Sequence, residues 1–394
     1  MHDLDRLLDF AARSRLPEGG FGYLGDDGRV VAGRPVETWI VARMTHVFGL
    51  AHLLGRPGAD ELARHGVVAL TEGPLHDGEH GGWFAATDDH TKAAYVHAFA
   101  VLAGSTATTA GIDGGRPLLA EALGIWLGRF WDDDAGMAVE EWDAAWTTLS
   151  DYRGVNANMH GVEAVLAAAD ALDTVADDAA GAAGELRRHA LRTTERVVHG
   201  WARERDWRLP EHYTPDWTPL PDYNRDRPAD PFRPYGVTVG HQFEWSRLAL
   251  HVRASLDDPP AWLLDDAVGL FEAAAHRGWA ADAHDGFPYT LDWDDRPVVA
   301  ARMHWVLCEA VAAAVVLAEV TGENRYRELA DRWRAYGEER FADPATGNWH
   351  HELTPTGEVG TGTWVGQPDA YHLAQMLLLD GWPVRGSLAA MLES

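Results

Sequence analysis

A repeat constrains this chain more than any other feature. Six stretches, spaced about sixty residues apart, are rich in Ala, Leu and Val and apolar nearly all round. They are ETWIVARMTHVFGLAHLLG from Glu37, KAAYVHAFAVLAG from Lys92, NANMHGVEAVLAAADAL from Asn156, GHQFEWSRLALHVRA from Gly240, MHWVLCEAVAAAVVLAEVTG from Met303 and DAYHLAQMLLLDG from Asp369. A helix apolar on every side has to be buried on several sides. Between these stretches run charged, amphipathic ones such as ADELARHGVVALTEG and NRYRELADRWRAYGEERF, with apolar residues at i, i+3, i+4 and i+7. Such alternation predicts an inner and an outer ring of helices. The expectation is an all-α fold, an (α/α)6 barrel or toroid, forming a single catalytic domain over 1–394. A helical solenoid or two helical domains are the alternatives, but no Pro/Ser-rich linker divides the chain.

The amphipathic stretches are followed by Gly/Asp/Trp-rich turns: HGGWFAA, DDDAGMAVEEW, AHDGFPYTL and PATGNWHHEL. These predict short hairpins at one rim, where glycine supplies unusual backbone angles. Residues 203–239 form an exceptional connection, dense in Pro, Asp and aromatic residues. Long connections in compact domains are functional or disordered, and the aromatic content favours a lid or contact loop.

The net charge of −28 argues against nucleic acid or an anionic membrane as partner. Cys308 is the only cysteine, so an internal disulfide and multi-cysteine metal sites are excluded. The N-terminal stretch MHDLDRLLDFAARSRLPEGG has neither the basic region nor the apolar run of a signal peptide. The longest apolar run, AVAAAVVLA over 310–318, is too short to span a bilayer. The expectation is a cytoplasmic protein, monomer or homodimer, that contacts neither membrane nor nucleic acid.

Polar residues sit near the starts of the apolar stretches: Arg43 and His46, Tyr95 and His97, Asn156 and His160, His241, Glu244 and Arg247, Trp305 and Glu309, then His372. Singly, each reads as a satisfied core residue, because buried polar groups find partners. Recurrence at matching places in successive repeats favours a shared cavity. Three chemistries compete. His241 and Glu244, on one helix face, are a possible metal pair, but HExxH and Cys/His clusters are absent. Loop carboxylates such as Asp89, Glu141 and Asp143 offer the acid and base of an inverting glycosidase. Finally, His241 and His372 can move protons on a carbon beside a carbonyl, with Glu244 or Glu309 orienting a ring.

At these residues the sequence resembles the N-acylglucosamine 2-epimerase superfamily, closest to its mannose isomerase and sulfoquinovose (aldose–ketose) isomerase branch. The resemblance runs from Glu37 to Gln375 on ARMTH, KAAYVHAF, NANMHGVEA, GHQFEW, WVLCEA and PDAYH, in that order. It implies an (α/α)6 barrel acting on a free monosaccharide through a cis-enediol(ate), with no metal and no cofactor. By motif, His241 and His372 are then the catalytic pair. Arg43, Tyr95, Asn156, His160, Glu244, Trp305 and Glu309 line the sugar site, with Trp364 a further packing candidate. The implied reaction interconverts D-mannose and D-fructose; a sugar 2-epimerase acting on mannose/glucose or cellobiose, or a sulfoquinovose isomerase, is the alternative.

Overall fold

The computed structural model describes residues 2–175 and 180–393. In chain order its helices are α1 (His2–Ala11), α2 (Thr38–Leu53), α3 (Ala59–Glu72), α4 (Ala94–Thr109), α5 (Gly115–Ile125), α6 (Val155–Val175), α7 (Ala180–Thr194), α8 (Val239–Ala254), α9 (Trp262–Gly278), α10 (His304–Thr321), α11 (Asn324–Arg340), α12 (Tyr371–Leu379) and α13 (Leu388–Leu392). Both α5 and α7 run on into π-helical turns, Trp126–Phe130 and Glu195–Ala202. With 52% of residues helical and strands of two or three residues, the all-α class is borne out.

The chain forms two compact units. One comprises Met1–Thr193, Pro368–Tyr371 and Arg385–Ser394; the other comprises Thr194–Gln367 and His372–Val384. In the first unit α2, α4 and α6 pack side by side, and α2 and α4 each pack on the helix that follows, α3 and α5. The expected alternation is visible in the burial. Residues Thr38 to Ala51 of α2 are all buried, whereas α3 buries one face through Ala59, Ala63, Gly66, Val67 and Leu70. The chain's one lysine, Lys92, is wholly buried, with its ammonium on Asp77 Oδ2 (2.7 Å) and the Gly81 carbonyl (2.7 Å).

In the second unit α8 packs on α9 and α10, and α10 on α11. By length and composition alone, α10 is long and apolar enough to cross a bilayer. It is 72% buried against its neighbours, so its hydrophobicity is that of a core helix. Cys308 is buried within it and forms no disulfide.

The inner helices start in one recurrent way. A short extended stretch precedes them: Lys92–Ala93 before α4, Arg153–Gly154 before α6, Val237–Thr238 before α8 and Arg302–Met303 before α10. None of the starts of α2, α4, α8 and α10 uses a side-chain cap. Their first N–H groups donate to loop carbonyls instead: Thr38 to Ala85, Ala94 to Glu140, Val239 to Tyr289 and His304 to His351. Each first turn is thereby pinned to a strand or loop, and first-turn side chains inherit that rigidity.

Of the four expected hairpins, three close locally: His76 bridges Trp83, Trp131–Asp132 pairs with Met137–Ala138, and Ala342 bridges Trp349. The fourth stretch, AHDGFPYTL, instead ends in a strand, Thr290–Leu291, that pairs with both Val237–Thr238 and Pro297–Val299.

Candidate active site

The polar residues singled out by the repeat gather into two clusters, one in each unit. In the first unit, Arg43 of α2 is buried and bound on both sides. Its guanidinium donates to Asp369 Oδ2 (3.2 Å) and to the Tyr95 hydroxyl (2.9 Å). It also lies over the rings of Phe99 (4.4 Å) and Tyr371 (4.6 Å). This network holds the planar cation in one orientation. Asp369 accepts the Tyr371 N–H at the start of α12 with its other oxygen (2.8 Å), so one carboxylate fixes both Arg43 and a helix start. His160 stands 3.6 Å from Glu163 and against the rings of Tyr95 and Phe99. The Tyr371 hydroxyl donates to Glu163.

Asn156, the second residue of α6, is half-buried. Its neighbour Asn158 has a structural task, bonding Ala138 N, Ala138 O and Gly154 O. His46 and His97 prove to be core residues. The His46 ring meets the Thr106 hydroxyl at 2.7 Å, and burial pushes its pKa down to about 4 despite the opposing charge of Glu163. Burial likewise takes His97 down to about 3. His97 Nδ1 donates to the Ala93 carbonyl and Nε2 accepts the Trp83 N–H.

The second unit carries both candidate catalytic histidines. His372 of α12 turns Nδ1 to Glu309 Oε1 of α10 at 2.8 Å. The other Glu309 oxygen accepts from Arg247 Nε of α8 at 2.9 Å. His241 of α8 turns Nδ1 to the carboxylate of Glu211, 3.0 and 3.1 Å from its two oxygens. Sequence reasoning assigned ring orientation to Glu244 or Glu309. Glu309 takes that place at His372, whereas at His241 it falls to Glu211 in the long connection. Glu244 lies one turn on from His241, 3.8 Å from Arg247.

Trp305, the second residue of α10, links the two rings. Its indole lies 5.2 Å from the His241 ring and 5.6 Å from the His372 ring, centroid to centroid. The imidazoles are therefore no further apart than those two distances together. Gly240 makes this possible: a Cβ there would sit 2.2 Å from the Trp305 ring. Real Cβ contacts are never that short, so the glycine of GHQFEW exists for the indole beside it.

In each dyad a carboxylate accepts from Nδ1, so Nδ1 carries the hydrogen and the neutral ring has its basic lone pair on Nε2. The arrangement suits general acid–base chemistry by two imidazoles that both contact one indole. A metal is the competing use. Glu244, Glu309 and His372 place one ligand atom each within 4.8 Å of one another. Arg247 already bonds Glu309 and lies 3.8 Å from Glu244, so one cationic side chain already stands at this cluster.

The remaining sequence candidates are placed elsewhere. Asp89 and Asp143 hold turns through Thr91 and Thr147, and the Thr147 hydroxyl brings Asp143 down to about 2. Glu141 lies in a short strand paired with Lys92–Ala93. In the HHE stretch at His350–Glu352, His351 and Glu352 are buried. Glu352 accepts the N–H groups of Gly362, Thr363 and Trp364, and so shapes the loop that sets Trp364 edge-on to Phe232. Asp369 and Glu163, missed as site residues, do sit inside the motifs PDAYH and NANMHGVEA. An Asp just before an apolar helix is a start signal in its own right.

A profile described as N-acylglucosamine 2-epimerase (GlcNAc 2-epimerase) matches residues 19–376. The chain belongs to the N-acylglucosamine 2-epimerase family. Within that family it is 50% identical to the D-mannose isomerase of Thermobifida fusca, over 99% of this chain and 95% of that one. It is 45% identical to the D-mannose isomerase of Pseudomonas cannabina pv. alisalensis, over 98% and 92%. Among solved structures, a crystal structure of D-mannose isomerase superposes with a TM-score of 0.86 at 26% identity, covering 95% of this chain and 96% of that one. A cellobiose 2-epimerase from Spirochaeta thermophila DSM 6192 shares the fold, with a TM-score of 0.79 at 23% identity over 95% and 92%.

Proposed function

We propose that this member of the family is a D-mannose isomerase, interconverting D-mannose and D-fructose without a metal. The observation that carries the reading is the pair of imidazole–carboxylate dyads that both contact Trp305. Their chain is half identical, over nearly its whole length, to a protein bearing that name. In this reading His372 takes the C2 proton of open-chain mannose, giving a cis-enediol(ate). It then returns the proton to C1 as the C2 oxygen becomes the ketone. His241 assists ring opening and carries protons between O1 and O2. The net change is the carbonyl moved from C1 to C2, with no atom gained or lost. Glu309 carries the compensating negative charge when His372 takes up the proton.

Arg43 is the fixed cation for enediolate oxygens, since a preorganised charge where charge develops is effective catalysis. Tyr95, Asn156, His160 and Glu244 are carried over on the family pattern as substrate-binding residues, with Trp305 packing on the sugar. We read 1–394 as one catalytic domain of a cytoplasmic enzyme. A metal is not called for, because the guanidinium of Arg247 occupies the electrostatic place a cation would take at Glu309.

The test is NMR of purified protein with mannose in deuterated water, with and without EDTA. Fructose as first product, formed at an unchanged rate in EDTA and carrying deuterium at C1 to the extent that the proton held by His372 exchanges with solvent before its return, is expected. Glucose appearing directly makes the enzyme a 2-epimerase instead, and loss of activity in EDTA overturns the metal-free mechanism.

A further inference from the structure

The established family pattern leaves the connection 203–239 without a task. Its first part is not loosely held. Gln242 of α8 donates to the Trp207 carbonyl at 2.7 Å, and the adjacent His241 meets Glu211. The Trp207 indole packs where Gly269 of α9 leaves room; a Cβ there would lie 2.4 Å from it. Leu209 through Tyr213 are buried, and the Tyr213 hydroxyl donates to the Pro210 carbonyl. Further along, His212 Nε2 donates to the Pro234 carbonyl at 2.7 Å, tying the connection across to its far end. A rigid, buried segment thus delivers one carboxylate, only 4% exposed, to one ring nitrogen.

A charge is costly to bury, and a carboxylate in such a place is held by what it pairs with. Both Glu211 oxygens face Nδ1 of His241. A carboxylate is an acceptor only, so this contact has one polarity: Nδ1 keeps the hydrogen, and in the neutral ring the lone pair is on Nε2. We propose that Glu211 is a positioning residue that fixes the tautomer and direction of His241, making the 203–239 connection part of the catalytic apparatus. The claim that this ring exchanges protons with a sugar rests on the function proposed above. The claim about the tautomer does not.

The experiment uses the full chain with nitrogen-15 histidine, as wild type, Glu211→Gln and His241→Asn, the last to assign the His241 signals. In the wild type, His241 is expected with a protonated Nδ1 and a bare Nε2. In Glu211→Gln the side-chain amide offers N–H as well as O, so the tautomers mix or reverse. The kcat for mannose falls about 10²-fold while KM stays within about threefold, because removing an orienting carboxylate disturbs proton transfer rather than sugar binding. A role in folding alone would lower the melting temperature and leave tautomer and kcat per folded molecule in place, which overturns the proposal. So does a wild-type ring protonated at Nε2, or a Gln variant keeping kcat within about twofold. If the wild type isomerises no hexose, the proposed function falls, and the His241 tautomer still decides the role of Glu211.

Discussion

Two pairs of histidines, all on the apolar helices, meet opposite fates in this chain. His46 and His97 face a hydroxyl, a carbonyl and an N–H, and burial holds them neutral far below neutrality, at about 4 and about 3. His241 and His372 are also buried, yet each faces a carboxylate and the indole of Trp305. Burial alone therefore does not separate a packing imidazole from a reactive one. The partner at Nδ1 does: a neutral acceptor orients a ring, while a carboxylate also compensates the charge that arrives with a proton.

The comparison is broken or sustained most sharply by removing one ring from each pair. His372→Ala is expected to lower kcat for mannose by about 10³-fold or more with the protein still folded, since general acid–base groups contribute roughly 10²–10⁴-fold. His97→Phe keeps the ring volume but strands the Trp83 N–H, costing about 1–3 kcal/mol of stability. Its kcat per folded molecule should stay within about threefold of wild type. Steady-state kinetics alongside urea unfolding checks both, and a large loss of kcat in His97→Phe would erase the distinction.

How much of this was legible in the sequence follows from which signals are local. Helices buried on all sides announce themselves through composition, so α2, α4, α6, α8, α10 and α12 each overlap one of the six apolar stretches. Two-residue strands have no periodicity to read, so the device that pins each inner-helix start was invisible. His241 and His372 were found because motif and repeat place them on helices. The Glu309–His372 contact spans 63 positions and was anticipated as one of two options, since both residues belong to the repeat. Glu211 lies outside the repeat, thirty positions before His241 in a proline-rich stretch. The i+3 spacing within α8 pointed to Glu244 instead, which keeps company with Arg247. A local rule cannot see a partner brought in by a loop.

The indole shared by the reactive pair gives the second, smaller effect. Gly240→Ala drives a methyl group into Trp305 and Val306, at 2.2 and 2.9 Å. The ring has to move, and both imidazoles lean on it. A displacement of about 1 Å at reacting groups costs about 10²-fold in rate. Overpacking one methyl costs about 1–3 kcal/mol. The expected result is kcat down by about that factor with a modest drop in melting temperature. Full activity in Gly240→Ala would mean that Trp305 does not position the histidines.

The neutral pair carries the smallest effect, in the pH dependence of stability. His46 and His97 have folded pKa values lowered from 6.5, so the unfolded chain binds protons that the folded chain refuses. Their contribution is complete above pH 6.5. It is lost as pH falls through 6.5 towards about 4 for His46 and about 3 for His97. Each such group takes away up to about 1.4 kcal/mol per pH unit inside its window. Between pH 7 and pH 5, replacing His97 by Phe should therefore shrink the loss of stability by about 2 kcal/mol, read from urea midpoints at the two pH values. An unchanged difference would show that His97 charges in the folded protein, and the partner at Nδ1 would no longer sort the two pairs.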